Sequence, residues 1–117
     1  MFLSDYVNVT FNSSFSDLKK RCTPTVERLS AADVDGIFCY SDELAIAILQ
    51  ETKRQGKKIN IIGYDDIPAA EYFSLTTVHQ PLERMGEEAA KEIVNLSSPP
   101  KEPIERFFKP KLVLRDT

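Results

Sequence analysis

The sequence predicts an α/β fold, an open and mostly parallel sheet with helices on both faces, and three observations support it. Short runs rich in β-branched residues alternate along the chain with segments of helical composition. These runs are almost continuously apolar, as in "INIIGY" at 59–64, which is typical of strands covered on both faces. The 117 residues, 42% hydrophobic and 28% charged, suit one compact domain without a membrane span.

The first predicted elements are a strand at 6–11, where "YVNVTF" alternates as a strand should, and a helix over 14–32. Pro24 lies inside that helix. Because proline has no backbone N–H and its ring collides with the preceding turn, we expect Pro24 to kink or split the helix.

A βα unit comes next. The run "DGIFCY" at 35–40 predicts a short buried strand, and a helix follows from Glu43 to near Gly56. Ser41 and Asp42 stand just before this helix, where short polar side chains accept hydrogen bonds from the free N–H groups of the first turn. Asp42 is the residue that we expect to cap it.

The remaining elements repeat this order of strand, polar turn and helix. The strand at 59–64 leads directly into Asp65 and Asp66, and Pro81 is placed as the first residue of a helix, where its fixed φ is tolerated. The further predicted segments are a loop or single helical turn over 65–72, a strand over 74–80, a helix from 81 to about 96, a loop over 97–103, and strands over 104–108 and 111–116.

Polar residues stand at the predicted carboxyl ends of successive strands. They are Ser41, Asp42, Asp65, Asp66 and Gln80. Parallel sheets bind ligands beyond the carboxyl ends of their strands, so side chains distant in sequence converge on one rim. We therefore expect a ligand site at this rim.

The acid pair Asp65 and Asp66 could bind a metal, perform acid–base chemistry, accept hydrogen bonds from hydroxyl groups or cap the next turn. Adjacent side chains at a strand end point in different directions, which disfavours a shared metal. The four glycines match neither a P-loop nor a dinucleotide motif, and His79, the sole histidine, has no G-x-S-x-G partner. No catalytic residue, metal ligand or cofactor is predicted.

Charge and cysteine usage exclude further classes. The net charge is −3, and Lys and Arg are scattered, so these residues alone should bind DNA poorly. Cys22 and Cys39 have no zinc or thioredoxin spacing and are interpreted as small buried side chains in a reducing, cytoplasmic setting.

Three stretches together resemble the C-terminal half of LacI/GalR (lactose-repressor) family transcriptional regulators. They are "DGIFCYSDELAIAIL", "INIIGYDDIPAAEYFSLTTVHQPLERMGEEAAKEI" and "FKPKLVLRDT", in family order and within residues 35–117. The resemblance implies a periplasmic-binding-protein-like effector domain, of which residues 1–117 are the C-terminal part. It implies that 81–108 packs on an N-terminal subdomain, and that operator DNA is bound by a further domain, neither of which these residues include.

The resemblance also assigns roles to single residues. Asp65 matches the first acid of the family's G-[FY]-D-D motif and would accept hydrogen bonds from effector hydroxyls, whereas Asp66 would cap the following turn. Ser41 stands where family members often carry an effector-binding Asn, and its hydroxyl lacks the separate donor and acceptor of that amide. Gln80 matches a polar position at the subdomain crossing, and Phe11 the aromatic that stacks on a sugar ring, although an ordinary core aromatic fits Phe11 equally well.

Assembly and partners follow from the same resemblance. The helix after Asp42 is apolar nearly all round, and Leu44, Ala47 and Glu51 lie on a face that would be exposed in a monomer. Family members use this region for dimer contacts, so we expect a homodimer through these residues. The alternative is that a loop of the same chain covers this face.

The expected ligand is a small-molecule effector, a sugar or sugar phosphate, whose binding would shift the closure of the two subdomains. No membrane partner is expected. Two other classes stay open: a sugar-binding protein of a transport system, which shares the fold, and a metal-dependent enzyme that uses Asp65 and Asp66 on a flavodoxin-like sheet.

Overall fold

The computed structural model describes residues 14–100 and 102–117, so the predicted strand at 6–11 and Phe11 lie outside the described residues. Within them, helices and strands alternate as predicted. The helices are α1 (Phe15–Ala31), α2 (Asp42–Arg54), α3 (Pro68–Tyr72) and α4 (Leu82–Asn95), and the strands are β1 (Gly36–Phe38), β2 (Asn60–Ile62), β3 (Thr77–His79) and β4 (Lys111–Val113).

The strands lie in the spatial order β1-β2-β3-β4. β1 and β2 pair in parallel with Ile37 opposite Ile61. Two parallel bridges, Ile62 to Thr76 and Asp65 to His79, join β2 to β3. β4 pairs with β3 in the antiparallel sense and ends the described sheet. The mostly parallel sheet is therefore confirmed, with one antiparallel edge.

The segment 104–108 is not the strand that the sequence predicts. It forms no sheet pairing, and Phe107 is 91% exposed. Its contacts are instead with α4: Arg106 forms an ion pair with Glu92, and the guanidinium of Arg84 lies 5.8 Å from the Phe108 ring centroid. A strand needs a partner for its backbone groups, and in the described residues this segment pairs with none of the four strands.

Helix α1 starts at Ser14, whose hydroxyl accepts a hydrogen bond from the Asp17 N–H. Of the predicted kink or split at Pro24, the split does not occur, because the helix continues through this residue. Pro24 is exposed, as is Lys20 one turn earlier. Water can therefore hydrate the carbonyl that proline leaves without an N–H partner, which lowers the cost of keeping the helix whole.

The hydrophobic core lies between α1, α2 and one face of the sheet. Ile37 and Cys39 point into it, whereas Phe38 and Tyr40 alternate to the other face and are 65% and 63% exposed. The buried members of the core are Leu18, Cys22, Val26, Cys39, Leu44, Ala45, Ile46, Ala47, Ile48, Leu49, Ile61, Ala70 and Leu75. Both cysteines are free thiols, and burial raises the pKa of Cys22 to about 11 and that of Cys39 to about 12.

The packing of α1 on α2 corrects the predicted dimer face. Leu44, Ala47 and Glu51 are 8%, 0% and 1% exposed within this single chain. Glu51 accepts a hydrogen bond from Thr23 of α1, and Leu44 and Ala47 occupy the same stripe of α2. The apolar second face of α2 is therefore covered by α1 of the same chain and is not a surface for a partner.

Glu51 is a buried carboxylate that several donors satisfy. Arg54 donates from Nε at 2.8 Å and from Nη2 at 2.6 Å, and Gln55 Nε2 donates at 2.7 Å. The Arg54 hydrogen bonds outweigh the opposing effect of burial and lower the pKa of Glu51 to about 2. The charged form of Glu51 is thereby favoured in the folded protein.

Helix α4 differs from the other helices because none of its residues is buried. Its apolar residues include Leu82, Ile93 and Val94, which are 56%, 71% and 82% exposed. These three side chains are therefore more than half exposed in the part of the chain that the structure describes. In residues 14–100 and 102–117, α4 and the other helices all fall short of the length and apolarity needed to cross a bilayer.

The lowered pKa of Glu51 predicts how stability depends on pH. Its contribution is present above its unfolded value near 4.5 and is lost as pH falls towards the folded value of about 2. Glu51→Gln should lower the free energy of unfolding at neutral pH by about 1–2 kcal/mol and flatten the stability profile across that acidic window. Urea titrations at several pH values measure both effects.

The control is Glu87→Gln, which changes an exposed glutamate on α4. It should leave the acidic part of the profile as steep as in the wild type. A Glu51→Gln profile of unchanged slope would contradict the role given to this carboxylate.

Candidate functional site

The polar rim predicted from the sequence forms at the carboxyl ends of β1, β2 and β3. Asp65 follows β2, and its Oδ1 accepts a hydrogen bond from Gln80 Nε2, which follows β3, at 2.9 Å. Asp42, after β1, reaches the same region because its backbone N–H donates to the Tyr64 carbonyl at 2.8 Å. The sheet therefore brings together residues that are widely separated in sequence.

Asp65 has an unusual backbone, with φ of 110°. Non-glycine residues seldom adopt positive φ, and such conformations persist only where the surroundings fix them. Its N–H donates to the Val78 carbonyl at 3.0 Å, and its Oδ1 is held by Gln80. Within the described residues its Oδ2 accepts no hydrogen bond, so the carboxylate keeps acceptor capacity for a ligand.

Asp66 does not cap the following turn, and that prediction is wrong. Its Oδ1 accepts from Arg115 Nη2 at 3.0 Å, and its Oδ2 lies 3.1 Å from His79 Nδ1. With φ of 56°, its backbone is left-handed, and its carboxylate is directed to β3 and the residues after β4 rather than to α3. Asp66 therefore ties the loop to the carboxyl-terminal residues.

The cap of α2 is Ser41 and not Asp42. Ser41 is the N-cap of α2, because its hydroxyl accepts from the Leu44 N–H at 3.3 Å. The prediction that Asp42 caps this helix is wrong, since Asp42 is already its first helical residue. The Ser41 hydroxyl can still donate a hydrogen bond while it accepts one, so capping is compatible with a ligand contact.

Asp42 is fully buried and accepts two hydrogen bonds from other elements. Thr77 Oγ1 of β3 donates to Oδ1 at 2.5 Å, and the Ile67 N–H donates to Oδ2 at 2.9 Å. Sequence reasoning missed Thr77. The available signal was the alternation of the strand, which puts Thr77 on the face opposite Thr76 and Val78. A threonine on a buried face needs a hydrogen-bond partner.

The two adjacent acids are directed to different partners, as the geometry of a strand end predicts. Asp65 binds Gln80, and Asp66 binds Arg115 and His79. Among the residues that the structure describes, no group of three or more His, Cys, Asp or Glu side chains is placed to hold a metal ion. The arrangement is suited to accepting and donating hydrogen bonds, with Asp65 as an acceptor and Gln80 and Ser41 as groups of mixed character.

An open groove lies at the other end of the sheet, around the first residue of β2. Its volume is about 460 Å³, and it includes Lys57, Asn60 and Ser74. None of the rim residues lines it. The groove is therefore distinct from the predicted ligand site.

Sequence comparison identifies the family. The profile of the periplasmic binding protein-like domain matches residues 5–117. The HTH-type transcriptional repressor PurR of Vibrio vulnificus (strain CMCP6) is 42% identical over 89 residues, which are 69% of this chain and 26% of that protein. The HTH-type transcriptional regulator CelR of Thermobifida fusca is 29% identical over 122 residues, covering 98% of this chain and 34% of that protein.

Structure comparison agrees. A LacI family transcriptional regulator from Enterococcus faecium with bound ribose has a TM-score of 0.71 and 30% identity, and the match covers 83% of this chain and 39% of that one. The transcriptional regulator CelR in complex with cellobiose has a TM-score of 0.74 and 28% identity, with coverage of 87% and 33%.

The chain spans about a quarter to a third of the length of PurR and CelR. The match nevertheless extends over nearly all of the chain, and the acids, the strand ends and the antiparallel last strand fall within it. The chain belongs to the periplasmic-binding-protein-like family, and the relatives and solved structures described above are transcriptional regulators, one of them a LacI family member.

Proposed function

We propose that this chain is the carboxyl-terminal part of the effector-binding and dimerisation domain of a LacI-type transcriptional repressor. The observation that carries the proposal is the Asp65–Gln80 pair at the carboxyl ends of β2 and β3. Operator binding would belong to a separate DNA-binding domain, and a regulator of this kind acts in the cytoplasm. It would not be an enzyme.

The effector would be a small molecule rich in hydroxyl groups, a sugar or sugar phosphate. A carboxylate with a free acceptor oxygen binds hydroxyl donors, and the amide of Gln80 and the hydroxyl of Ser41 add groups of both kinds. The related structures contain ribose in one protein and cellobiose in the other, which supports this ligand class. The relatives reported above are named as regulators, which favours this function over a transport protein or a metal-dependent enzyme.

Helix α4 supports a second part of the proposal. Residues 81–108 would pack on the amino-terminal subdomain of the effector domain, so that the effector lies between two subdomains. The absence of buried residues in α4, together with its exposed Ile93 and Val94, is what such an arrangement requires.

The roles of the two acids can be separated in the full-length regulator. Asp65→Asn should weaken the binding of a responsive sugar from a panel including ribose and cellobiose by about tenfold or more, with little change in Tm, because it removes a charged acceptor. Asp66→Asn should lower stability by about 1–3 kcal/mol, because it weakens the Arg115 ion pair. Calorimetric titration and thermal unfolding measure the two effects. Tight binding by Asp65→Asn would contradict the role of Asp65.

The packing of α4 gives a test that compares two lengths of chain. Ile93→Ser should hardly change the Tm of the 117-residue chain, where Ile93 is 71% exposed, but should lower the Tm of the full-length regulator. Ile48→Ser changes a core residue that is 3% exposed and should destabilise both forms. Equal tolerance of Ile93→Ser in both forms would refute the proposed packing.

The dimer is proposed from the family alone and uses a surface other than Leu44, Ala47 and Glu51. The full-length regulator should sediment as a dimer at tens of micromolar. Leu44→Ala should cost about 2–4 kcal/mol of stability through loss of core packing and leave the sedimented mass unchanged. A monomeric mass for the wild type would overturn the dimer. Dissociation caused specifically by Leu44→Ala would show that the face with Leu44, Ala47 and Glu51 is the dimer interface.

A further inference from the structure

We propose that Asp42 and Thr77 together act as positioning residues that hold the loop over 63–67, and with it the Asp65 carboxylate, in its binding geometry. This Asp42–Thr77 clamp rests on the proposed function in one respect: Asp65 is taken to be the residue that meets the effector. Neither clamp residue is proposed to touch the effector itself, since both are fully buried.

The hydrogen bonds of the loop carry the first step. The two backbone N–H groups that follow Asp65 both donate to the clamp: Asp66 N to Thr77 Oγ1 at 3.4 Å and Ile67 N to Asp42 Oδ2 at 2.9 Å. Thr77 Oγ1 in turn donates to Asp42 Oδ1 at 2.5 Å. The hydroxyl of Thr77 thus accepts from the loop and donates to the buried carboxylate, and both Asp42 oxygens are occupied.

The second step is that the ordinary explanation for Asp42 does not hold. Ser41, not Asp42, caps α2, so the helix does not need the Asp42 carboxylate. A buried carboxylate is unfavourable unless hydrogen bonds compensate it, and those at Asp42 come from β3 and from the loop. These hydrogen bonds indicate that the Asp42 carboxylate serves to hold the loop.

Gly63 supplies the third step, because it lets the carboxylate approach the end of β2. A Cβ atom at position 63 would overlap Oδ1 of Asp42 and lie 3.0 Å from Leu75 Cδ2. The φ angle at position 63 does not require glycine, because Gly63 is not among the residues with positive φ. The close approach of Asp42 accounts for the glycine.

Backbone conformation gives the fourth step. Asp65 and Asp66 have φ of 110° and 56°, two consecutive non-glycine residues in disfavoured regions. Such a pair needs neighbours that fix it. The clamp binds the N–H groups of Asp66 and Ile67, and the Val78 carbonyl binds the N–H of Asp65. With the clamp released, the loop is free to relax and Asp65 to move away from Gln80.

The test uses NMR on the 117-residue chain without effector. Thr77→Val keeps the shape of the side chain and removes the hydroxyl, and Thr77→Ser retains the hydroxyl. The matched control is Thr52→Val, which removes another buried hydroxyl, one that donates to Leu49 O at 2.9 Å within α2. Two signals are followed: hydrogen exchange of the Asp66 and Ile67 amides, and the chemical shifts of the Gln80 side-chain amide.

Thr77→Val should speed exchange of both amides by about tenfold or more relative to the amides of β1 and β2, and should move the Gln80 side-chain resonances towards those of a free glutamine. Thr77→Ser should restore both signals, and Thr52→Val should leave them as in the wild type. Signals in Thr77→Val that match those in Thr52→Val would overturn the clamp.

If Thr77→Val does not fold, Asp42→Asn provides the same two readouts, because it keeps the side-chain shape and removes one acceptor. Unchanged signals in this folded variant would also overturn the clamp. Neither readout requires an effector, so the clamp and the proposed function can fail separately. Changed signals with unimpaired sugar binding by Asp65→Asn would support the clamp and refute the role given to Asp65.

Discussion

The buried carboxylate of Asp42 fixes the relation between the start of α2, the loop after β2 and the strand β3. Its backbone N–H is held by Tyr64 O, and its two oxygens are held by Thr77 and Ile67. In a buried setting a carboxylate tolerates little departure from full hydrogen bonding, because each lost donor leaves charge uncompensated. Three separate segments of the chain are thus required to meet at one point, and the rim of polar residues is built around it.

Two pairs of adjacent polar residues at this rim divide their tasks in the same way. In Ser41–Asp42, one side chain caps the helix and the other crosses to neighbouring segments. In Asp65–Asp66, Asp65 accepts a hydrogen bond from Gln80, and Asp66 binds Arg115 and His79. Neighbouring side chains at a strand end point in different directions. In the proposed function, Ser41 and Asp65 would face the ligand, and Asp42 and Asp66 would hold the scaffold.

The local pattern of apolar and polar residues was sufficient to predict the order of the elements, the parallel strands and the convergence of Asp65 with Gln80. It was insufficient wherever the answer depended on which segment packs against which. The burial of Glu51 follows from the docking of α1 on α2, and the lack of pairing at 104–108 follows from its contacts with α4. The choice of cap failed for a related reason: either Ser41 or Asp42 could cap α2, and only the position of Thr77 and Ile67 decides between them.

The antiparallel pairing of β4 with β3 places His79 opposite Lys111, so the chain leaves the sheet and re-enters it at neighbouring points. Everything between them, including α4, is attached through a narrow two-stranded ribbon. Under the function proposed above, a body attached in this way would turn about the ribbon as a hinge. Because Gln80 follows β3 and donates to Asp65, such a rotation and the binding of an effector at Asp65 would act on the same hydrogen bond.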